Sequence, residues 1–449
     1  MEKPALETTP DPQAATLAER LDGAALTRLH VVALVLCAGA LSFDLMEVGF
    51  GSALAAVFSS APYSLPTSEL SWLLSSVYIG AVCGAPLMGV LADRIGRKAL
   101  LVWLLLLLAV LSAMAALSRT PFELTVWRAL SGLSLGAFPP LMVVYLTDLL
   151  PSRRRGPIIL LVSGFAFLGV PAGIFLIRAL TPVQPLGLEA WRWAFWVGTT
   201  GSAILALVMY RWVPESPRWL ASKGRMDEAR KIVERLVASP PLLPALPPVR
   251  LEGTRKAEVD LASSRGFWLL ACLYFLAAWS TVGFSVVSGA VMIQKGLKLS
   301  DSLLYLGLST FGPLLGSLLA SVVADRLERR TLLAACAVTM IAGTYAFMQG
   351  ESGWVLATSG LLVALCSAVY VPMLNLYGAE ATKGAKRGGA VAGAWAFNRL
   401  GAALSPLLLV PLLKQSGLWS MYAVIATSLV LTLLALAVAP KGRAQRAVA

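Results

Sequence analysis

Four side chains with full charge interrupt sequence that is otherwise apolar: Asp44 and Glu47 in LSFDLMEVGFGSAL, Arg128 in VWRALSGLSLG and Arg399 in AFNRLGAALSP. Asp44 and Glu47 are three residues apart, so on a helix they share one face. Two carboxylates held together away from water cannot both carry charge cheaply. An acid that keeps its proton beside a water path is what proton coupling requires. The competing use is a permanent ion pair, Glu47 with Arg128 or Asp44 with Arg399. A guanidinium matches a carboxylate with two parallel bonds, which makes Arg399, beside Asn398, the first candidate for gripping an anionic substrate and Arg128 the next. Tyr78, Tyr145, Trp279, Ser280, Tyr370, Asn375 and Trp395 are further candidates for a cavity lining. Such rings stack on an aromatic substrate or serve as interfacial belt and packing.

These residues need elements to position them, and the composition says which. Of the 449 residues, 57% are apolar and 14% charged, with a mean hydropathy of +0.75. Soluble chains carry roughly 25% charged residues. Twelve apolar runs, at about 29–58, 70–92, 99–117, 121–146, 156–180, 191–213, 266–293, 301–324, 331–349, 354–377, 388–413 and 417–439, are each long enough to cross a hydrocarbon core of ~30 Å. The expected fold is an all-α integral membrane protein with twelve transmembrane helices. A charge inside a span costs at least ~2.5–3.5 kcal/mol and normally faces a cavity or a partner. Asp44 lies 14 residues beyond His30, roughly 21 Å along a helix and so near or just past the midplane. Glu47 sits a turn further on, at a depth that Arg128 can share, and Arg399 is about halfway along its run. The first 28 residues are polar, so no cleavable signal peptide is expected.

The formal net charge of +13 points to topology, not to nucleic acid. With the runs as spans, 29 of the 37 Lys and Arg fall on one face, six (Arg119, Arg178, Arg192, Lys295, Lys298 and Lys414) on the other, and Arg128 and Arg399 inside. That asymmetry predicts both termini in the cytoplasm. The five Cys lie in apolar runs without metal or redox spacing and read as small packing residues. The one histidine, His30, stands where the first helix enters the membrane and reads as interfacial and solvated, with proton carriage as the alternative. No nucleotide loop, metal cluster or nucleophile constellation is present, so neither an enzyme nor a cofactor is expected.

The chain divides at its long polar stretch. Residues 1–28 are expected to form a cytoplasmic tail, 29–213 one six-helix bundle, 214–265 a cytoplasmic linker with a short helix, 266–439 a second six-helix bundle and 440–449 a C-terminal tail. GVLADRIGRK (89–98) and SVVADRLERR (321–330) occupy the same place in each half, between second and third spans. Two related six-helix halves are the signature of a transporter that binds substrate near the midplane. In the first copy, Gly89 removes a side chain where another helix can approach, Asp93 sits at a helix end, and Arg94, Arg97 and Lys98 anchor the loop around Gly96. The expected role is a latch between the halves, with Asp325 and Arg326 in the degraded second copy.

At these residues the chain resembles the major facilitator superfamily. Gly89, Asp93, Arg94, Gly96, Arg97 and Lys98 match every position of its G-x-x-x-D-R-x-G-R-[RK] loop, whereas Ser321 and Glu328 replace both glycines in the second copy. RALSGLSLG (128–136) resembles the superfamily's fourth-helix R-x-x-x-G-x-x-x-G, and VPESPRWLASKGRMDEARKIVERL resembles the segment after helix 6 in its sugar-porter-like and organic-acid branches. The paired helix-7 glutamines and terminal PETKG of sugar porters are absent. LSFDLMEVGF resembles the first helix of nicotinate permeases, which are metabolite:proton symporters close to the aromatic-acid symporters.

What the resemblance implies is alternating access in a bacterial-type inner membrane, with proton-coupled uptake of a small organic anion by a monomer in the bilayer. A pyridine or benzene carboxylate such as nicotinate is the first substrate. A proton-driven exporter of drugs or metabolites, and a non-transporting receptor or scaffold with the same fold, are the alternatives.

Overall fold

A computed structural model describes residues 17, 19–152, 154–238, 241–243, 264–323, 327–381 and 387–439. Asp325 and Arg326 lie outside the described residues. Eleven helices are long and apolar enough to cross a membrane, and a twelfth qualifies across a bend of 45° at Pro86. In chain order they are α1 (Arg28–Ser59), α2 (Thr67–Ile95), α3 (Arg97–Leu117), α4 (Pro121–Leu149), α5 (Arg155–Leu180), α6 (Ala190–Trp212), α7 (Gly266–Gln294), α8 (Leu299–Val322), α9 (Arg329–Gln349), α10 (Gly353–Ala381), α11 (Arg387–Gln415) and α12 (Leu418–Val438). Each coincides with one of the twelve apolar runs to within a few residues, except that α10 runs four beyond its expected end and α1 and α2 start or end one to three residues outside theirs.

Local chemistry sets the ends. Pro121 opens α4 at the position where a missing N–H costs nothing, and Thr120 caps it by accepting from the Glu123 amide at 3.2 Å. Gly96 ends α2 with φ +110°, a conformation in which L side chains are strained, and a Cβ there would lie 2.5 Å from Glu215 Oε2. Within α7 the backbone widens to a π-turn over Trp279–Phe284, a feature frequent at functional sites. After α6 come two short amphipathic helices, Pro217–Ser222 and Met226–Ala238. A two-residue strand β1 (Leu26–Thr27) pairs antiparallel with β2 (Pro241–Leu243), tying the segment before α1 to the linker. Asp22 reinforces this tie: its Oδ1 accepts from Arg155 at 3.1 Å and from Arg218 at 2.9 Å.

The RxxxGxxxG spacing has a geometric purpose. Gly132 and Gly136 stand on the face of α4 that Gly80 and Gly84 of α2 meet. A Cβ on Gly80 would lie 1.9 Å from the Ala129 carbonyl oxygen, and one on Gly132 2.2 Å from that of Val77. Small residues thus let two backbones touch, and the crossing fixes α4 with Arg128 one turn away. In the second half α8 approaches α10 in the same manner through Gly312 and Gly316, and Gly360 of α10 meets Ser309 of α8.

Across the halves, α1 packs on α7, α2 on α11 and α5 on α8. A Cβ on Gly289 of α7 would lie 2.1 Å from the Ser52 carbonyl oxygen of α1, so the sparsely charged ends of these helices are in close contact. On that face cations hold main-chain carbonyls. Arg192 donates to Ala116 at 2.8 Å and Ser118 at 2.6 Å, closing the end of α3. Lys295 donates to Met348 at 2.6 Å and Gly350 at 2.8 Å, closing the end of α9. Carbonyls at a helix C-terminus have no intrahelical partner and carry the negative end of the dipole. Arg178 donates to Ser300 at 3.0 Å and Lys414 to Leu65 at 2.7 Å, both from one half to the other.

Candidate functional site

The buried charges gather where the halves meet. Glu47 and Arg128 are each 1% exposed, with Oε1 and Nη1 3.7 Å apart. Ser112 of α3 donates to Glu47 Oε2 at 3.1 Å, and the Phe195 ring of α6 lies 5.8 Å from the Arg128 guanidinium carbon. Four helices of the first half thereby enclose one ion pair. Gly51 and Gly198 keep the space around it clear: a Cβ on either would approach Arg128 Nη2 at 4.0 Å or Glu47 Oε2 at 3.8 Å.

Asp44, one turn from Glu47 and equally buried, is arranged differently. Neither of its carboxylate oxygens has a hydrogen-bond partner. The fields that reach it come from Arg399 on the second half and from Glu47. Tyr78 of α2 lies in the fields of both Arg128 and Arg399. The arrangement is thus one ion pair inside the first half, at 3.7 Å and short of a hydrogen bond, and one carboxylate without a partner under the field of an arginine across the interface.

Arg399 is only partly buried, and its Nε has no partner. Its guanidinium carbon lies 5.2 Å from the Trp395 ring centroid, a cation–π arrangement. Trp395 stands edge-on to Tyr274, with centroids 5.4 Å apart at 88°. Tyr274 is fully buried; its hydroxyl donates to Asn375 Oδ1, and its carbonyl accepts from Asn398 Nδ2 at 3.1 Å. Sequence reasoning missed Tyr274, which joins α7, α10 and α11 behind Arg399. It also missed Ser112 and Phe195, whose types carry no charge signal.

The other expected residues divide. Trp395 stands with Arg399, and Trp279 is half-exposed in the π-turn, 6.1 Å from the Phe275 ring. Ser280 is turned to Met340 Sδ at 3.6 Å. The Tyr370 hydroxyl is buried without a partner. Asn375 and Asn398 are present at the α7–α10–α11 junction, where Asn375 Oδ1 accepts from the Tyr274 hydroxyl and Asn398 Nδ2 donates to the Tyr274 carbonyl. Tyr145 does not join the site: it is fully buried and its hydroxyl donates to the Pro214 carbonyl at 2.6 Å, at the linker. His30 is not solvated: it is 1% exposed and closes a capping box with Thr27, whose amide and hydroxyl lie 3.2 and 2.8 Å from Nδ1. Its ring also meets the Leu149 backbone at the end of α4, which removes it from solvent.

The loop motif is assembled by the first half and linker. Arg97 lies 3.5 Å from Asp93 and 3.6 Å from Asp148 of α4. Glu215 accepts from the Lys98 amide at 2.9 Å and the Ala99 amide at 3.3 Å, satisfying the start of α3. Ser216 donates to Asp148 at 2.6 Å, and Trp219 Nε1 donates to the Asp93 carbonyl at 3.1 Å. Arg94 is exposed. The expected close approach at Gly89 does not occur: among the described residues nothing lies within 4 Å of a Cβ there, and the Asp93 side chain is 74% exposed.

Comparison with known proteins agrees with this architecture. Residues 35–441 match the family model described as sugar (and other) transporter. The niacin transporter NiaP of Acinetobacter baylyi is 25% identical over 409 residues, covering 87% of this chain and 89% of that protein. The arabinose-proton symporter of Bacillus subtilis is 37% identical over 177 residues, 39% of this chain and 38% of that one. Among solved structures, the xylose transporter XylE from E. coli, in a partially occluded inward-open conformation, superposes with a TM-score of 0.72 at 19% identity. It covers 92% of this chain and 98% of its own.

Proposed function

Starting from the fact that this chain belongs to the sugar (and other) transporter family of multi-pass membrane transporters, we propose that it takes up a small organic carboxylate together with protons. An aromatic or pyridine acid such as nicotinate is the first candidate. One observation carries the reading: Arg399, set on Trp395, and Asp44 lie within each other's electrostatic reach from opposite halves without a hydrogen bond or ion pair between them, and each has unsatisfied polar atoms. A substrate carboxylate fits the guanidinium fork, and its ring fits beside Trp395. A sugar calls for several amide and hydroxyl partners, and Asn375 and Asn398 each already give one amide atom to Tyr274. The likeness to the niacin transporter supports the acid; the likeness to the arabinose and xylose transporters supports the fold and the transport class.

In the proposed cycle ionised Asp44 competes with the substrate for Arg399. Protonation of Asp44 removes the competitor, so proton and anion load together. The loaded site then carries no net charge from these three groups, which eases the passage of the closed halves across it. Glu47 and Arg128 stay paired throughout as framework. We place the basic face in the cytoplasm, with both termini inside, in the cell's inner membrane, the linker joining bundles at 29–213 and 266–439, and the monomer as working unit.

Uptake into proteoliposomes decides between the readings. With an acid exterior, nicotinate or benzoate should accumulate above its equilibrium level and nicotinamide should not. Accumulation of arabinose or xylose with no effect of either acid would transfer the protein to the sugar class.

A further inference from the structure

Among the described residues, two side-chain bonds join the halves on the sparsely charged face, and the symmetry of the fold relates them. Arg178 lies in the last turn of α5, the fifth helix of its half, and donates to Ser300 at the start of α8, the second helix of the other half. Lys414 lies in the last turn of α11, the fifth helix of its half, and donates to Leu65 just before α2, the second helix of the other. Interchanging the halves exchanges the two bonds. Arg192 and Lys295 use the same chemistry on the same face, but each holds carbonyls of its own half.

We propose that Arg178 and Lys414 are a reciprocal pair of gate residues, which together hold the sparsely charged side shut and must both release before substrate exchanges there. A family transporter opens one side at a time by moving its halves as bodies, so bonds that cross between halves on one face are made in one state and broken in the other. Each donor is a cation near the C-terminus of its own helix, where the dipole favours it, and a main-chain carbonyl with a second lone pair accepts it. Two clasps on opposite flanks, α5–α8 and α2–α11, resist tilting in both directions. A single clasp would leave the other flank to splay. The inference needs only the transporter fold and is independent of the substrate.

The test uses a reporter that touches neither clasp. Ser52 of α1 is 6% exposed and sealed against α7. In the full chain with Cys83→Ser and Cys272→Ser removing the two exposed thiols, Ser52→Cys reports opening through its rate of N-ethylmaleimide labelling in detergent. Arg178→Ala and Lys414→Ala should each raise that rate about 2–10-fold, as for one hydrogen bond of modest net strength. The double variant should show roughly the product, because both act on one rigid-body equilibrium. Arg178→Lys with Lys414→Arg should label near the parent's rate, and Lys295→Ala should leave the rate unchanged. Labelling of the buried Cys37 would reveal unfolding; if the alanine variants show it, Arg178→Gln and Lys414→Gln replace them in the same comparison. A double variant that labels at the parent's rate, or a Lys295→Ala protein that labels as fast as the clasp variants, overturns the proposal.

Discussion

In the first half, Glu47 finds Arg128 and Ser112, α2 and α4 both bring glycines to their crossing, and the loop at Gly96 is held by Glu215, Asp148 and Trp219. In the second half, Arg399 rests on Trp395 with Nε unpaired, and the hydroxyls of Tyr370 and Thr344 are buried without partners. The halves share a fold and differ in how their intramembrane arginines are met: Arg128 has an acidic partner within 4 Å and Arg399 has none among the described residues. A paired charge serves as framework, whereas an unsatisfied donor in a partly open place is what a ligand can complete. On the proposed reading the first half supplies support and the second substrate recognition, with Asp44, whose carboxylate has no hydrogen bond, as the first half's contribution to the site.

Substitutions can break that assignment, beginning with the largest effect. Arg128→Ala leaves Glu47 buried and uncompensated, so it should destabilise the protein by roughly 3–5 kcal/mol. Thermal unfolding in detergent should show the loss, and Arg128→Ala with Glu47→Gln should recover part of it. An unchanged unfolding temperature would deny the first half its framework role. Asp44→Asn should abolish proton-driven accumulation while counterflow exchange persists in part, because the open acid is removed and the closed pair is not. Full accumulation by this variant would move the coupling site elsewhere.

Arg399→Ala should leave stability nearly intact and weaken acid binding roughly ten- to hundred-fold, the value of a charge-assisted bond of about 1.5–3 kcal/mol. Arg399→Lys should recover little, since lysine offers a point charge in place of a fork. The amide of the same acid should bind the parent weakly and lose little more in either variant, a comparison that isolates the carboxylate–arginine interaction. Equal losses for acid and amide would make Arg399 structural, like Arg128, and erase the contrast between halves. The smallest effect is expected at Asp93, whose side chain is mostly exposed here. Asp93→Asn should slow turnover a few-fold at unchanged affinity, and a large loss of affinity would sink the latch role.

The lengthwise plan was legible in the sequence and the azimuthal plan was not. Apolar run length sets the spans, so the helix ends came out within a few residues, and the depths of Glu47 and Arg128 placed them as partners. The glycines of RALSGLSLG stand out as a motif, but the spacing alone does not say that α2 is the helix they meet. Tyr274, Tyr145 and His30 were misjudged for one reason: on a helix apolar all round, no polar face says which way a side chain turns. Gly89 was read as a close approach because a sequence carries one conformation's worth of contacts for every state the protein visits. Arg178 and Lys414 were visible only as minority cations, since their acceptors are backbone carbonyls, which any residue supplies.

The Asp22 tie has a consequence for biogenesis. Its second partner, Arg218, follows 196 residues later. At ribosomal rates of about 5–20 residues per second, roughly 10–40 s pass between their emergence. During that interval six helices must enter the bilayer while Asp22 waits for its second donor. Leu17 and Leu21, buried in the finished protein beside Leu236, stay uncovered for as long. The tail can dock only after the linker has followed α6 out of the ribosome, so its docking marks the first half as complete before the second has begun to insert.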